Sequence, residues 1–134
     1  MNWFTNTLSS TLGRKWLMAL TGLFLCTFLV VHLIGNLQLL YTDGGLSFNA
    51  YAKFMTTNPV IKLLSYGLYA GFLLHIIDAY ALIMKNKKAR PIGYDQYKPA
   101  GTSSWSSRNM GILGTILLIF LIVHMKQFWF EMHW

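Results

Sequence analysis

Charge is what this chain has least of. Only four acidic side chains occur among 134 residues, against eleven Lys and Arg, and charged residues make up 11% of the total. An ordinary soluble domain carries about a quarter, and here 54% of the residues are hydrophobic instead. The single cysteine, Cys26, excludes an internal disulfide and any Cys-clustered iron–sulfur or zinc centre within the chain. No glycine-rich nucleotide loop and no nucleophile–base pair occurs, so chemistry on a soluble substrate must happen elsewhere. Proline is confined to three positions. Asn58-Pro59 reads as a helix start, with Asn as cap and Pro at the first helical position. Pro91 and Pro99, with Gly93 and Gly101, break the stretch from Lys85 to Ser107, which reads as a long irregular loop that docks on something.

What is present in quantity is long apolar sequence. Three stretches, roughly 16–41, 60–84 and 110–130, reach the length of about 20 residues that a bilayer requires. The reading is an all-α membrane protein, one domain over 1–134 with three transmembrane helices. The first stretch is too long for a signal-peptide core and has no small-residue cleavage site after it. The net charge of +7 is a topology signal rather than a nucleic-acid footprint. Arg14 and Lys15 precede the first span. Lys85, Lys87, Lys88, Arg90, Lys98 and Arg108 lie between the second and third. Only Lys53, Lys62 and Lys126 fall on the other side. By the positive-inside bias the N-terminus is cytoplasmic and the Trp134 end external.

Residues 1–13 read as a polar interfacial lead-in, and Trp16 as an aromatic anchor. Asp43-Gly44-Gly45 marks a turn. Beyond it, Phe48, Tyr51, Ala52 and Met55 recur at helical spacing, a segment suited to lying flat at the membrane surface.

Three of the four histidines, His32, His75 and His124, fall inside spans. An ionisable group in hydrocarbon is costly and is a functional-site hypothesis by default; the plain alternative is a hydrogen bond to a neighbouring helix. Depth sharpens the choice. His32 lies 17 residues after Lys15, and His124 lies 16 after Arg108. At a helical rise of about 1.5 Å per residue both sit roughly 25 Å above the inner face. His75, ten residues before Lys85, sits at roughly 15 Å. A haem b held between helices takes axial imidazoles from opposite sides at one level, which His32 and His124 satisfy. Two axial histidines leave no open iron position, so such a haem carries electrons.

Other residues carry less weight. Gly35, Gly111 and Gly114 suit the close approach of a helix or a macrocycle. Asp78, three residues after His75, could hydrogen-bond that ring's second nitrogen, snorkel inward, or pair with a basic loop residue. His133 reads as interfacial. Met110 and Met125 read as packing residues.

The segments Ser10-Thr11-Leu12-Gly13-Arg14-Lys15, Leu20-Thr21-Gly22-Leu23-Phe24 and His32-Leu33-Ile34-Gly35-Asn36-Leu37 are joined by Phe48-Asn49-Ala50-Tyr51-Ala52 and Asn58-Pro59. His75, Ala89-Arg90-Pro91 and the stretch from Trp105 through Thr115 complete the set. Together they resemble the single-chain dihaem cytochrome b subunit of succinate dehydrogenase and quinol:fumarate reductase, in its Bacteroidetes-like form. The resemblance implies a subunit of an oxidoreductase in the cytoplasmic (inner) membrane, binding two haems b in a five-helix bundle. It implies cytoplasmic partners, an iron–sulfur subunit and a flavoprotein with covalent FAD, and electron exchange with quinone, usually menaquinone. It leaves room for oligomerisation of the whole complex. Carried over, His32 and His124 are the outer (distal) pair, and His75 is one ligand of the inner (proximal) haem.

The sequence departs from that pattern by ending after three helices without a second inner ligand, since His133 is too far out to reach the level of His75. It reads either as a fragment or as a chain whose missing helices come from another subunit. Without either, the inner haem would be lost or abnormal. Asp43, Asn49 and Lys53 are outer-side candidates for quinone. Arg14, Lys15, Arg108 and Lys126 are candidates for haem propionates. Two rival readings stand: a haem b subunit of another quinone-linked dehydrogenase, and a haem-free anchor or assembly subunit whose histidines hydrogen-bond between helices.

Overall fold

A computed structural model describes residues 2–93 and 101–131. Lys98, Pro99, His133 and Trp134, which entered the sequence reading, lie outside the described residues. Among those described there is no strand, and the helices run α1 (Trp3–Ser9), α2 (Thr11–Asn36), α3 (Leu46–Thr57), α4 (Pro59–Ala89), α5 (Trp105–Arg108) and α6 (Met110–His124). Three helical stretches are long and apolar enough to cross a membrane: Thr11–Leu40, Pro59–Ala89 and Met110–Phe130. This is an all-α, multi-pass membrane protein. Its apolar side chains face outward, as they do where hydrocarbon or a neighbouring helix replaces water. Leu63 is 71% exposed and Ile112 64%, while Leu25 at 9% is the buried hydrophobic residue of the described chain.

The first span begins five residues earlier than hydropathy suggests, because a cap rather than an apolar residue sets its start. Ser10 holds extended backbone between α1 and α2. Its Oγ accepts from the Gly13 amide at 3.0 Å and donates to the Thr7 carbonyl at 2.6 Å, which satisfies a donor that the first turn leaves unpaired. The polar lead-in is therefore itself helical and folds back onto the start of α2. Gly13 is buried there. A Cβ at this position would collide with the Thr7 carbonyl oxygen and stand 2.9 Å from Leu8 Cα. These are backbone atoms and cannot swing aside. Gly13→Ala is expected to undock α1 or strain the turn, at the about 1–3 kcal/mol typical of overpacking. A lowered thermal midpoint of the detergent-solubilised protein would register it, and a midpoint equal to wild type would contradict it.

At the other end, α2 tightens into a 3₁₀ turn, Leu37–Leu40. The chain then reverses through Gly44 and Gly45, whose φ values of +67° and +85° lie where a Cβ is disfavoured. Asp43 caps α3: Oδ1 accepts from the Gly45 amide at 3.0 Å and Oδ2 from the Ser47 amide at 2.9 Å. The stripe Phe48, Tyr51, Ala52 and Met55 is the half-covered side of α3, and the Tyr51 ring packs onto Gly35 of α2. At least this much of the stripe is therefore turned to the protein rather than to a membrane surface. Asn58 opens α4 as its residue type suggests, Oδ1 accepting from Val60 at 2.9 Å.

The described chain divides into two compact units, Met1–Leu82 and Ile83–Trp134. In the first, α4 runs back along α2. Arg14 meets Asp78, Thr21 meets His75, Phe24 lies against Gly71, and Phe28 meets Phe72 edge-on at 6.5 Å. Contacts that climb α2 while descending α4 define an antiparallel pair. In the second unit, Ile83 at the end of α4 lies against Gly111 of α6, the helix-packing role expected of that glycine. Nothing lies within 4 Å of a Cβ placed on Gly114. Part of the loop before α6 is ordered as α5, capped by Ser104, whose Oγ accepts from the Ser107 amide at 3.2 Å. The third span ends in a π-helical turn, Met125–Phe130.

Candidate functional site

Thr21, Phe28 and His32 share one face of α2, because offsets of seven and eleven residues bring side chains back to nearly the same direction. The Phe28 ring stacks on His32 with centroids 5.3 Å apart, and the His32 carbonyl accepts from Asn36 Nδ2 at 2.7 Å. Lower on the same helix pair, His75 of α4 is half-buried. Its Nδ1 lies 2.9 Å from Thr21 Oγ1, and its Cε1 would be 3.3 Å from a Cβ on Gly22. Thr21 and Gly22 thus hold one edge of the ring, leaving Nε2 as the other nitrogen.

In the second unit His124 closes α6, with Phe120 stacked at 5.4 Å one turn before it and Phe128 tilted at 4.9 Å one turn after. A π-turn begins at the next residue, a feature that re-aims side chains and recurs at functional sites. Each intramembrane histidine therefore has a defined ring environment, two of them aromatic.

Asp78 does not serve His75. It is buried at 7% exposure, with Oδ1 3.8 Å from Arg14 Nη1 and Oδ2 without a hydrogen-bond partner. The pairing is with the N-terminal end of α2 and not with the basic loop. Arg14 is thereby engaged by a carboxylate. Arg108 is turned back onto its own loop, Nη1 donating to the Ser103 carbonyl. Lys126 lines a shallow groove with Met125, Trp129 and Phe130.

Asp43, Asn49 and Lys53 do not share one role. Both carboxylate oxygens of Asp43 are used in capping, whereas Asn49 and Lys53 stand one turn apart on the exposed side of α3. Hydrogen bonds from the Ser47 side chain and amide, and from the Gly45 amide, hold the Asp43 carboxyl below the usual carboxylate range. A depressed folded-state pKa means that the cap is fully effective above the ordinary aspartate value. It is lost as pH falls through the lower, folded value. Acidification into that range is expected to shift the Gly45 and Ser47 amide resonances together; pH-independent shifts down to global unfolding would contradict the cap.

Compared with known protein families, curated proteins and solved structures, the chain matches none.

Proposed function

We propose that this chain is the haem b membrane anchor of a succinate:quinone oxidoreductase. It passes electrons between cytoplasmic flavin and iron–sulfur subunits and a membrane quinone. The observation that carries the reading is one histidine in each of three membrane spans, two of them 17 and 16 residues beyond the basic residues Lys15 and Arg108. In this reading His32 and His124 hold the outer haem, and His75 supplies one ligand of the inner haem, whose other ligand comes from outside these residues.

The residues suit the group. Fixing one imidazole nitrogen leaves the other for iron, as at His75. Aromatic neighbours such as Phe28, Phe120 and Phe128 provide flat apolar surface for a macrocycle. When bound, haem supplies one-electron chemistry without proton transfer at a substrate. The chain's own part would be to supply His32, His124 and His75 as imidazole ligands, and to exclude water through apolar helix faces. The basic residues at the inner ends of the spans orient the N-terminus to the cytoplasm, on the side of the soluble subunits.

The interhelical bond between Thr21 and His75 also suits the haem-free anchor, since it satisfies one ring nitrogen without iron. Affinity purification of the tagged chain from its native membrane separates the readings. The expected result is co-purification of a covalent flavoprotein and a b-type absorption band that succinate reduces. A band that succinate cannot reduce, with no flavoprotein present, would move the chain to another quinone-linked dehydrogenase.

A further inference from the structure

The Thr21 hydroxyl has one proton and two demands on it. Its Oγ1 lies 2.8 Å from the Leu17 carbonyl and 3.2 Å from the Met18 carbonyl of its own helix, and 2.9 Å from His75 Nδ1. The carbonyls can only accept. If the hydroxyl donates to Leu17, its lone pair is free to accept from a protonated Nδ1, and one group completes two hydrogen bonds. If it donates to Nδ1, the carbonyl contact is lost and the hydroxyl makes one. In a water-free bundle the arrangement with more bonds satisfied is favoured.

We propose that Thr21 is a positioning residue that keeps the His75 proton on Nδ1 and so assigns Nε2, with its lone pair, to iron. This rests on the haem reading above. The chain of bonds runs from His75 Nδ1–H to Thr21 Oγ1–H to the Leu17 carbonyl. It links the ligand ring to the backbone of α2, although the ring belongs to α4. Gly22 completes the placement, because a Cβ there would press on Cε1 at 3.3 Å and tilt the ring away from the hydroxyl. An acceptor on Nδ1–H makes the imidazole a stronger donor to iron and favours the oxidised state. Thr21 therefore lowers the potential of the inner haem and leaves the outer one unchanged.

Two measurements on Thr21→Val and Thr21→Ser test this. In the haem-free full chain in lipid, ¹⁵N resonances of labelled histidine are expected to report His75 as the Nδ1–H tautomer in wild type and Thr21→Ser. Thr21→Val should lose that bias. In the intact complex, Thr21→Val should raise the inner-haem midpoint potential, with Thr21→Ser close to wild type and the outer haem unmoved. A haem-bearing complex in which Thr21→Val changes neither tautomer nor inner potential overturns this inference alone. A Thr21-controlled tautomer in a complex that contains no haem overturns the haem reading and, with it, the assignment of Nε2 to iron.

Discussion

Replacing His124 with alanine is expected to remove one of the two b-type signals of the assembled complex and to leave the other in place. His32→Ala should remove the same one. In the proposed reading His32 and His124 would together hold one outer haem, so removal of either imidazole would release it. The double variant should then cost no more haem than either single variant, since residues that act as a unit are not additive. His75→Ala should show the complementary pattern, with the inner signal lost and the outer retained. Redox titration of each variant complex, followed by its reduced-minus-oxidised spectrum, checks the assignment. Equal loss of both signals from His124→Ala, with the subunit still assembled, would contradict the pairing.

The second large effect is expected at the charged contact between α2 and α4. Arg14→Ala leaves the Asp78 carboxylate buried with neither oxygen paired, since Oδ2 already lacks a partner. Losing one member of a fully buried pair costs about 3–5 kcal/mol. The Arg14 side chain is 36% exposed and the separation is 3.8 Å, so solvent screening reduces the expected cost to about 1–3 kcal/mol. Because the penalty comes from the stranded charge, Arg14→Met combined with Asp78→Leu should recover much of it; apolar replacement of a buried pair is often neutral. Thermal unfolding of the solubilised complex gives the comparison. Wild-type stability in Arg14→Ala, or a double variant worse than both singles, would show that the contact is not what holds these helices in register.

The spans were legible in the sequence because hydropathy over about 20 residues is the strongest signal a chain carries, and Asn58-Pro59 and Asp43-Gly44-Gly45 announced their own caps and turns. Hydropathy does not show where the first helix begins. Ser10 sets that start, and α1 was hidden because Trp3–Ser9 is too short and polar to display a period. The helix within the loop was foreshadowed only by Ser104, three residues before the amide it caps. The π-turn after His124 had no signal at all, since local composition does not distinguish it from a continuing α-helix.

The site divides in the same way. Which histidines fall within the long apolar helices follows from hydropathy alone. What each ring touches does not. Thr21 and His75 are 54 residues apart, so no local period links them, and the sequence leaves three partners open for Asp78: His75 one turn away, the inner surface, or a basic loop residue. Packing gave His75 to a hydroxyl on α2 and Asp78 to Arg14. Only the antiparallel pairing of α2 with α4 reveals both choices.

Haem binding by this chain is tested most directly by a reduced-minus-oxidised absorption spectrum of the purified native complex. The expected result is a b-type band in wild type, diminished in His32→Ala and His124→Ala with the subunit still present. A correctly assembled complex with no b-type band would contradict it and leave the histidines as interhelical hydrogen-bonding groups of a haem-free anchor.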